Sequence, residues 1–168
     1  MRGATLPIDG DGRFAGYASI FSQVDQGGDI IMPGAFRKSL AAKKQTGIRL
    51  LFQHDPKEPI GIWESVEEDE TGLWARGRLL PGVQRADALR RLIEGHAVDG
   101  LSIGFRAVRA TKEASTGYRR LWQVDLWEIS VVTFPMMDGA RITPGTKMPD
   151  HDIRLARSLD AAISLFRN

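Results

Sequence analysis

The sequence predicts a mainly β, β-rich α+β domain: a distorted closed barrel of about seven short strands with helices around it. Period-two alternation of apolar side chains recurs along the chain, as strands require. In a chain of 168 residues, 18 Gly and 8 Pro cut that pattern into short pieces. Only two internal stretches carry helical spacing, and they do not alternate with the strands as a doubly wound sheet demands. Closing the sheet on itself hides the edges that so many short strands would otherwise expose.

Arg13 to Phe21 alternates Phe14, Gly16, Ala18 and Ile20 with Ala15, Tyr17, Ser19 and Phe21, which suits a strand flanked on both sides. A Gly- and Asp-rich loop, Ser22 to Gly28, precedes a short strand at Ile30 and Ile31. Met32-Pro-Gly leads into a helix from about Gly34 to Lys44, with Phe36 and Leu40 one turn apart and Gly47 as the stop. Ile48 to Gln53 reads as a buried strand, and His54-Asp-Pro-Lys-Glu-Pro59 as the loop that breaks it, since two prolines remove ladder donors.

Pro59 to Glu67 and Leu73 to Leu80 form a hairpin about Asp69-Glu-Thr-Gly72. Val83 to Glu94 spaces Val83, Ala86, Leu89 and Leu92 or Ile93 as a helix, with Gly95 at its C-terminus. Leu101 to Ala110 sets Leu101, Ile103, Phe105 and Ala107 against Ser102, Gly104 and Arg106. Tyr118 to Phe134 has apolar residues on both faces, the mark of a central strand, and places Glu128 inside the β-rich body. The four tryptophans, Trp63, Trp74, Trp122 and Trp127, read as core or sheet-packing residues. Residues 1–142 thus make the barrel domain. Residues 143–168 add a Pro/Gly-rich linker and an amphipathic helix whose stripe, Leu155, Leu159, Ala162 and Phe166, must pack on the barrel, a second copy or a scaffold.

Composition excludes several classes. Without cysteine there is no disulfide framework and no thiolate nucleophile or metal ligand. A net charge of +2 is too small to carry a nucleic-acid function. The chain opens without a signal-peptide core and has no run of about 18 apolar residues, so a soluble protein without a membrane partner is expected. No His-Glu-x-x-His and no phosphate or dinucleotide loop occurs, so neither metal nor cofactor is expected.

Histidine chemistry has three carriers, His54, His96 and His151. His96 sits at a helix end and His151 in the linker, where capping and solvation account for them. His54, where a buried strand meets a Pro-bounded loop, is either a surface or structurally hydrogen-bonded histidine or an imidazole held on a rigid edge. Ser102 lies between Gly100 and Gly104, whose missing side chains let another group approach the hydroxyl. A serine becomes nucleophilic only with a base within about 3 Å and a third group to orient that base. Glu128 can be that group, and Asp125 is the alternative acid. A buried carboxylate needs a partner in any case, and Arg76, Arg78 or Arg106 would serve as well as an imidazole.

The strings Phe14-Ala-Gly-Tyr-Ala-Ser-Ile-Phe21, Gly28-Asp-Ile-Ile-Met-Pro-Gly-Ala-Phe36, Leu51-Phe-Gln-His-Asp-Pro-Lys-Glu-Pro-Ile-Gly61, Asp99-Gly-Leu-Ser-Ile-Gly-Phe105 and Leu126-Trp-Glu-Ile-Ser-Val-Val-Thr-Phe-Pro135 resemble the prohead proteases of tailed bacteriophages, in that family's order from about Phe14 to Ile142. The resemblance implies a serine endopeptidase with a fold similar to herpesvirus assemblins. It implies action inside the immature capsid in the host cytoplasm, on the major capsid protein or its scaffolding extension and on the enzyme itself. The family histidine falls on His54, the serine on Ser102 and the acid on Glu128. Neither His96 nor His151 matches a motif histidine, so a His-His-Ser arrangement is not expected. By analogy with assemblin, Arg106 or Arg109 would hold a water at the oxyanion. Two rival classes stay open: a non-catalytic capsid or scaffold protein, and a module binding peptides along a strand edge. A homo-oligomer is compatible with all three.

Overall fold

A computed structural model describes residues 7–43 and 45–144. Thr143, at the start of the expected linker, bonds Ala15 O of the sheet at 2.9 Å, while the rest of the linker from residue 145, His151 and the C-terminal helix lie outside the described residues. Seven strands form one curled sheet: β1 (Arg13–Ile20), β2 (Asp29–Ile31), β3 (Arg49–Phe52), β4 (Asp55–Glu68), β5 (Gly72–Leu79), β6 (Gly100–Lys112) and β7 (Arg119–Val132). Helices α1 (Arg37–Lys43) and α2 (Gln84–Glu94) accompany it. The order is β1-β5-β4-β3-β7-β2, with β6 on the other edge of β7. The half-barrel is laced at its seam, where Ile142 bridges Gly16 of β1 and Arg141 bridges Gly100 of β6. Phe14, Leu50, Ile60, Leu73, Leu89, Leu101, Leu126 and Ile129 fill the interior.

Strand β7 is central, as its two apolar faces suggested. One edge runs antiparallel to β6, and the other pairs in parallel first with β2 and then with β3. Between those two short partners its backbone would be orphaned. The α1 region fills that gap: Ser39 Oγ accepts from Leu126 N at 2.9 Å, and Ala35 O accepts from Val124 N at 3.0 Å. Lys43 Nζ closes the other end, donating to Leu126 O at 2.9 Å and pairing with Asp125.

The alternation along β7 breaks twice, at Trp122 and at Trp127, and the second break shapes the site. Gly104 pairs with Glu128 but Phe105 pairs with Leu126, so Trp127 is an extra, bulged residue. The bulge lets Leu126 and Ile129 both face the core while Glu128 turns to the outer surface. Glu128 is therefore not inside the barrel, as the uninterrupted alternation implied. Trp127 is likewise not a core residue: it is 51% exposed, and its Nε1 donates to Asp125. Trp63 and Trp74 are buried as expected.

The segment His54 to Pro59 also departs from expectation. Gln53 and His54 form a two-residue turn with φ of 54° and 59°, and Asp55 already opens β4. Pro56 and Pro59 are tolerated because, among the described residues, this part of β4 has ladder pairs with β3 alone, those with β5 starting at Gly61, and the β3 ladder is itself bulged there. At the other predicted helix start, Gly34 adopts φ 86° in a turn, so α1 begins only at Arg37.

Helix α2 ends on Gly95, but Gly95 has φ −83° and the left-handed position falls on His96 at φ 56°. His96 N bonds Ile93 O and Ala97 N bonds Leu92 O, the paired closure of a Schellman cap. A side chain in that region costs about 1 kcal/mol relative to glycine. His96→Gly is thus expected to raise the melting temperature by about 2 to 4 °C, read by differential scanning calorimetry.

Candidate active site

Directly opposed residues of an antiparallel pair project from the same face. In the β6–β7 ladder Ser102 opposes Ser130 and Gly104 opposes Glu128. Leu101, Ile129 and Val131 point into the core, so Ser102, Gly104, Glu128 and Ser130 share the outer face. The turn at Gln53 and His54 brings an imidazole onto this face, because β3 ends alongside Ser130 and Val131 of β7. Gln53 N donates to Val131 O at 3.0 Å, and His54 N donates to Ser130 Oγ at 3.0 Å.

His54 Nδ1 lies 2.6 Å from Glu128 Oε1, and Glu128 Oε2 accepts from Ser130 Oγ at 2.7 Å. Both carboxylate oxygens are therefore engaged. Glu128 is 12% exposed at its side chain and His54 41%, so the acid is sheltered while the imidazole keeps an open side. Room for the carboxylate comes from Gly104, where a Cβ would stand 2.1 Å from Glu128 Oε1. The glycines around Ser102 thus have internal uses: Gly104 admits Glu128, and Gly100 lies against Pro135 and the Val132 carbonyl.

Ser102 is 4% exposed, and no hydrogen bond to its Oγ exists among the described residues. A cleft of about 140 Å³ opens beside it, lined by Ala18, Asp25, Phe105, Met136 and Met137 among others. Among the described residues β6 has no strand partner besides β7, and its other edge carries no ladder beyond Leu101, whose N–H is taken by Ala140 O.

The remaining predicted residues lie elsewhere. Asp125 is bound by Lys43 and Trp127, and the Lys43 ammonium above all holds its carboxyl below the ordinary carboxylate range. Arg106 stands 3.7 Å from that same carboxylate, and Arg109 lies over the Trp122 ring. Arg76 and Arg78 approach Glu64 at 3.9 and 3.5 Å. The partner of Glu128 is His54 and none of these arginines. His96 caps α2 and takes no part in this cluster. Among the described residues no group of acidic or histidine side chains could hold a metal ion, and no helix is long and apolar enough to cross a membrane. Ser130 is the member that sequence reading missed; its signal was a second polar residue two positions from Glu128 in the otherwise apolar stretch Leu126–Val132.

The curled sheet is similar in fold to two solved viral proteases. The bacteriophage T4 capsid assembly protease superimposes with a TM-score of 0.62 at 17% identity, covering 79% of this chain and 90% of that one. The KSHV protease, solved with a hexapeptide phosphonate inhibitor, gives 0.57 at 10% identity, covering 89% and 76%. Within that class the sequence is specific: residues 5–152 match the caudovirus prohead serine protease family, and the chain belongs to it. The prohead protease of Enterobacteria phage HK97 is 40% identical over 142 residues, 82% of this chain. This chain spans 63% of that relative's length.

Proposed function

We propose that this chain is the endopeptidase of a phage-type head-maturation system, with Ser102 as nucleophile, His54 as general base and Glu128 as the acid that orients it. One observation carries the reading: a sheltered carboxylate on Nδ1 of a histidine whose backbone is tied to the residue opposite a serine. An ionised carboxylate only accepts, so Nδ1 carries the proton and the Nε2 lone pair is left for the serine.

In this mechanism Ser102 Oγ bonds to the scissile carbonyl carbon as its proton passes to His54 Nε2. The C–N bond then breaks while Nε2 returns that proton to the departing amine, leaving an acyl-enzyme. Water repeats the sequence through the same imidazole and frees Ser102. Glu128 stabilises the imidazolium without taking its proton. The absence of a Ser102 hydrogen bond accords with free proteases, whose contacts tighten when substrate binds. Backbone N–H donors must cover the oxyanion, each worth about 3 kcal/mol. Arg106 and Arg109, proposed for that region from the resemblance, have partners in Asp125 and Trp122 and are left out of the mechanism.

The edge of β6 beside Ser102, without a ladder among the described residues, suits a substrate bound as an added strand. The substrate of this proposal is the major capsid protein or its scaffolding extension, cut within the immature capsid in the host cytoplasm, together with the enzyme's own tail; the relatives named as a prohead protease and a capsid assembly protease support a site of action at the capsid. The reading requires no cofactor, no nucleic acid, no membrane and no second copy of the chain. Co-expression with the capsid precursor of the same phage-like particle tests it: a shortened precursor band is expected, with a covalent adduct on Ser102 after treatment with a peptide phosphonate. An intact precursor beside folded, soluble protein would instead favour a structural or peptide-binding role.

A further inference from the structure

We infer that Ser130 is a positioning residue, whose single hydroxyl sets both the acid and the histidine backbone relative to the nucleophile. The inference rests on the assignment of Ser102, His54 and Glu128 above. A serine hydroxyl has one proton and two lone pairs. Here the proton goes to Glu128 Oε2 at 2.7 Å and one lone pair accepts His54 N–H at 3.0 Å. One atom therefore ties the far oxygen of the carboxylate to the backbone of the residue whose ring holds the near oxygen.

The anchor is rigid because Ser130 is paired on both sides, with Leu51 of β3 and Ser102 of β6. It is 0% exposed, so water has no ready access to replace the hydroxyl. It also has something to hold. Gln53 and His54 both occupy the left-handed region without being glycine, a conformation that persists only when its surroundings impose it. The Gln53 side chain, bonded to Thr133 Oγ1 at 2.7 Å, fixes one half of that turn, and Ser130 fixes the His54 half. Without the hydroxyl, Glu128 Oε2 and the His54 N–H lose their partners together. The imidazole is then free to swing by the ångström or so that costs about a hundredfold in rate.

The test combines kinetics with proton NMR of the His54 Nδ1–H resonance, which reports the carboxylate contact whether or not the enzyme turns over. Ser130→Ala is expected to lower kcat about ten- to hundredfold with KM changed by less than about twofold, and to broaden or abolish that resonance. Ser130→Thr, which keeps the hydroxyl, should recover most of both. Ser130→Cys, which fills the space but is a poor hydrogen-bond partner, should behave like alanine. Parental kcat and an intact resonance in Ser130→Ala, or recovery by cysteine equal to that by threonine, would overturn the inference. Should the alanine variant fail to fold, the Cys against Thr comparison decides it. Cleavage persisting in a Ser102→Ala control would refute the underlying catalytic assignment, and the resonance would still report separately on Ser130.

Discussion

Ser102→Ala is expected to reduce cleavage of the capsid precursor by about 10⁶-fold, below detection on a gel, while leaving the fold intact. The size follows from the proposed mechanism: the substitution removes the atom that forms the acyl-enzyme, the sequence holds no cysteine, and the hydroxyl across the ladder, Ser130, is fully buried and already donates to Glu128. The fold should survive because Ser102 Oγ makes no hydrogen bond among the described residues, and the substituted residue stays within the same β6–β7 ladder. A cost of about 1 kcal/mol or less in stability is expected. Circular dichroism and the thermal midpoint should therefore match the parent while the precursor stays whole. Processing by the alanine variant at the parental rate would remove Ser102 from the mechanism.

The second large effect concerns a residue that carries no functional group. Gly104→Ala adds one methyl, 2.1 Å from Glu128 Oε1 and 2.8 Å from its carboxyl carbon. Ordinary contact needs more than 3 Å, so something must move by about an ångström, and the flexible carboxylate end moves more easily than the β6 backbone. Glu128 thereby leaves His54 Nδ1, and the imidazole loses both its tautomeric preference and the charge that stabilises its protonated form. A fall of about 10²-fold in kcat is expected, with a thermal midpoint within a few degrees of the parent. Glu128→Gln should reproduce the loss without the steric cause and should cost less than losing Ser102, as suits an acid that orients the base. A folded Gly104→Ala protein with undiminished turnover would mean that the acid's placement is immaterial.

Much of this was legible in the residues. Local alternation and turn composition marked every strand and both helices, because side-chain period and Gly/Pro placement are properties of neighbouring residues. His54, Ser102 and Glu128 could be singled out by scarcity, by flanking glycines and by a charge on an apolar strand. The resemblance then placed them in one family site. What could not be read locally was the phase of β7. Trp127 looks like any other strand residue, yet as a bulge it turns Glu128 outward while leaving Leu126 and Ile129 in the core. A bulge exists only relative to a partner strand, and here that partner is β6.

The turn after β3 teaches the same lesson. Two prolines in a row of six residues argue for a loop, and only the absence, among the described residues, of a second ladder partner along the first part of β4 lets them belong to a strand. Sequence by itself determined the β-rich class and the family, and it singled out the side chains of the proposed site, since each depends on residue type and order along the chain. Tertiary structure alone decided which partner Glu128 takes, why Gly104 must lack a side chain and that Ser130 joins the cluster. Those facts depend on the β6–β7 register and on a left-handed turn brought against it from β3, contacts between residues more than 20 positions apart that no local pattern encodes.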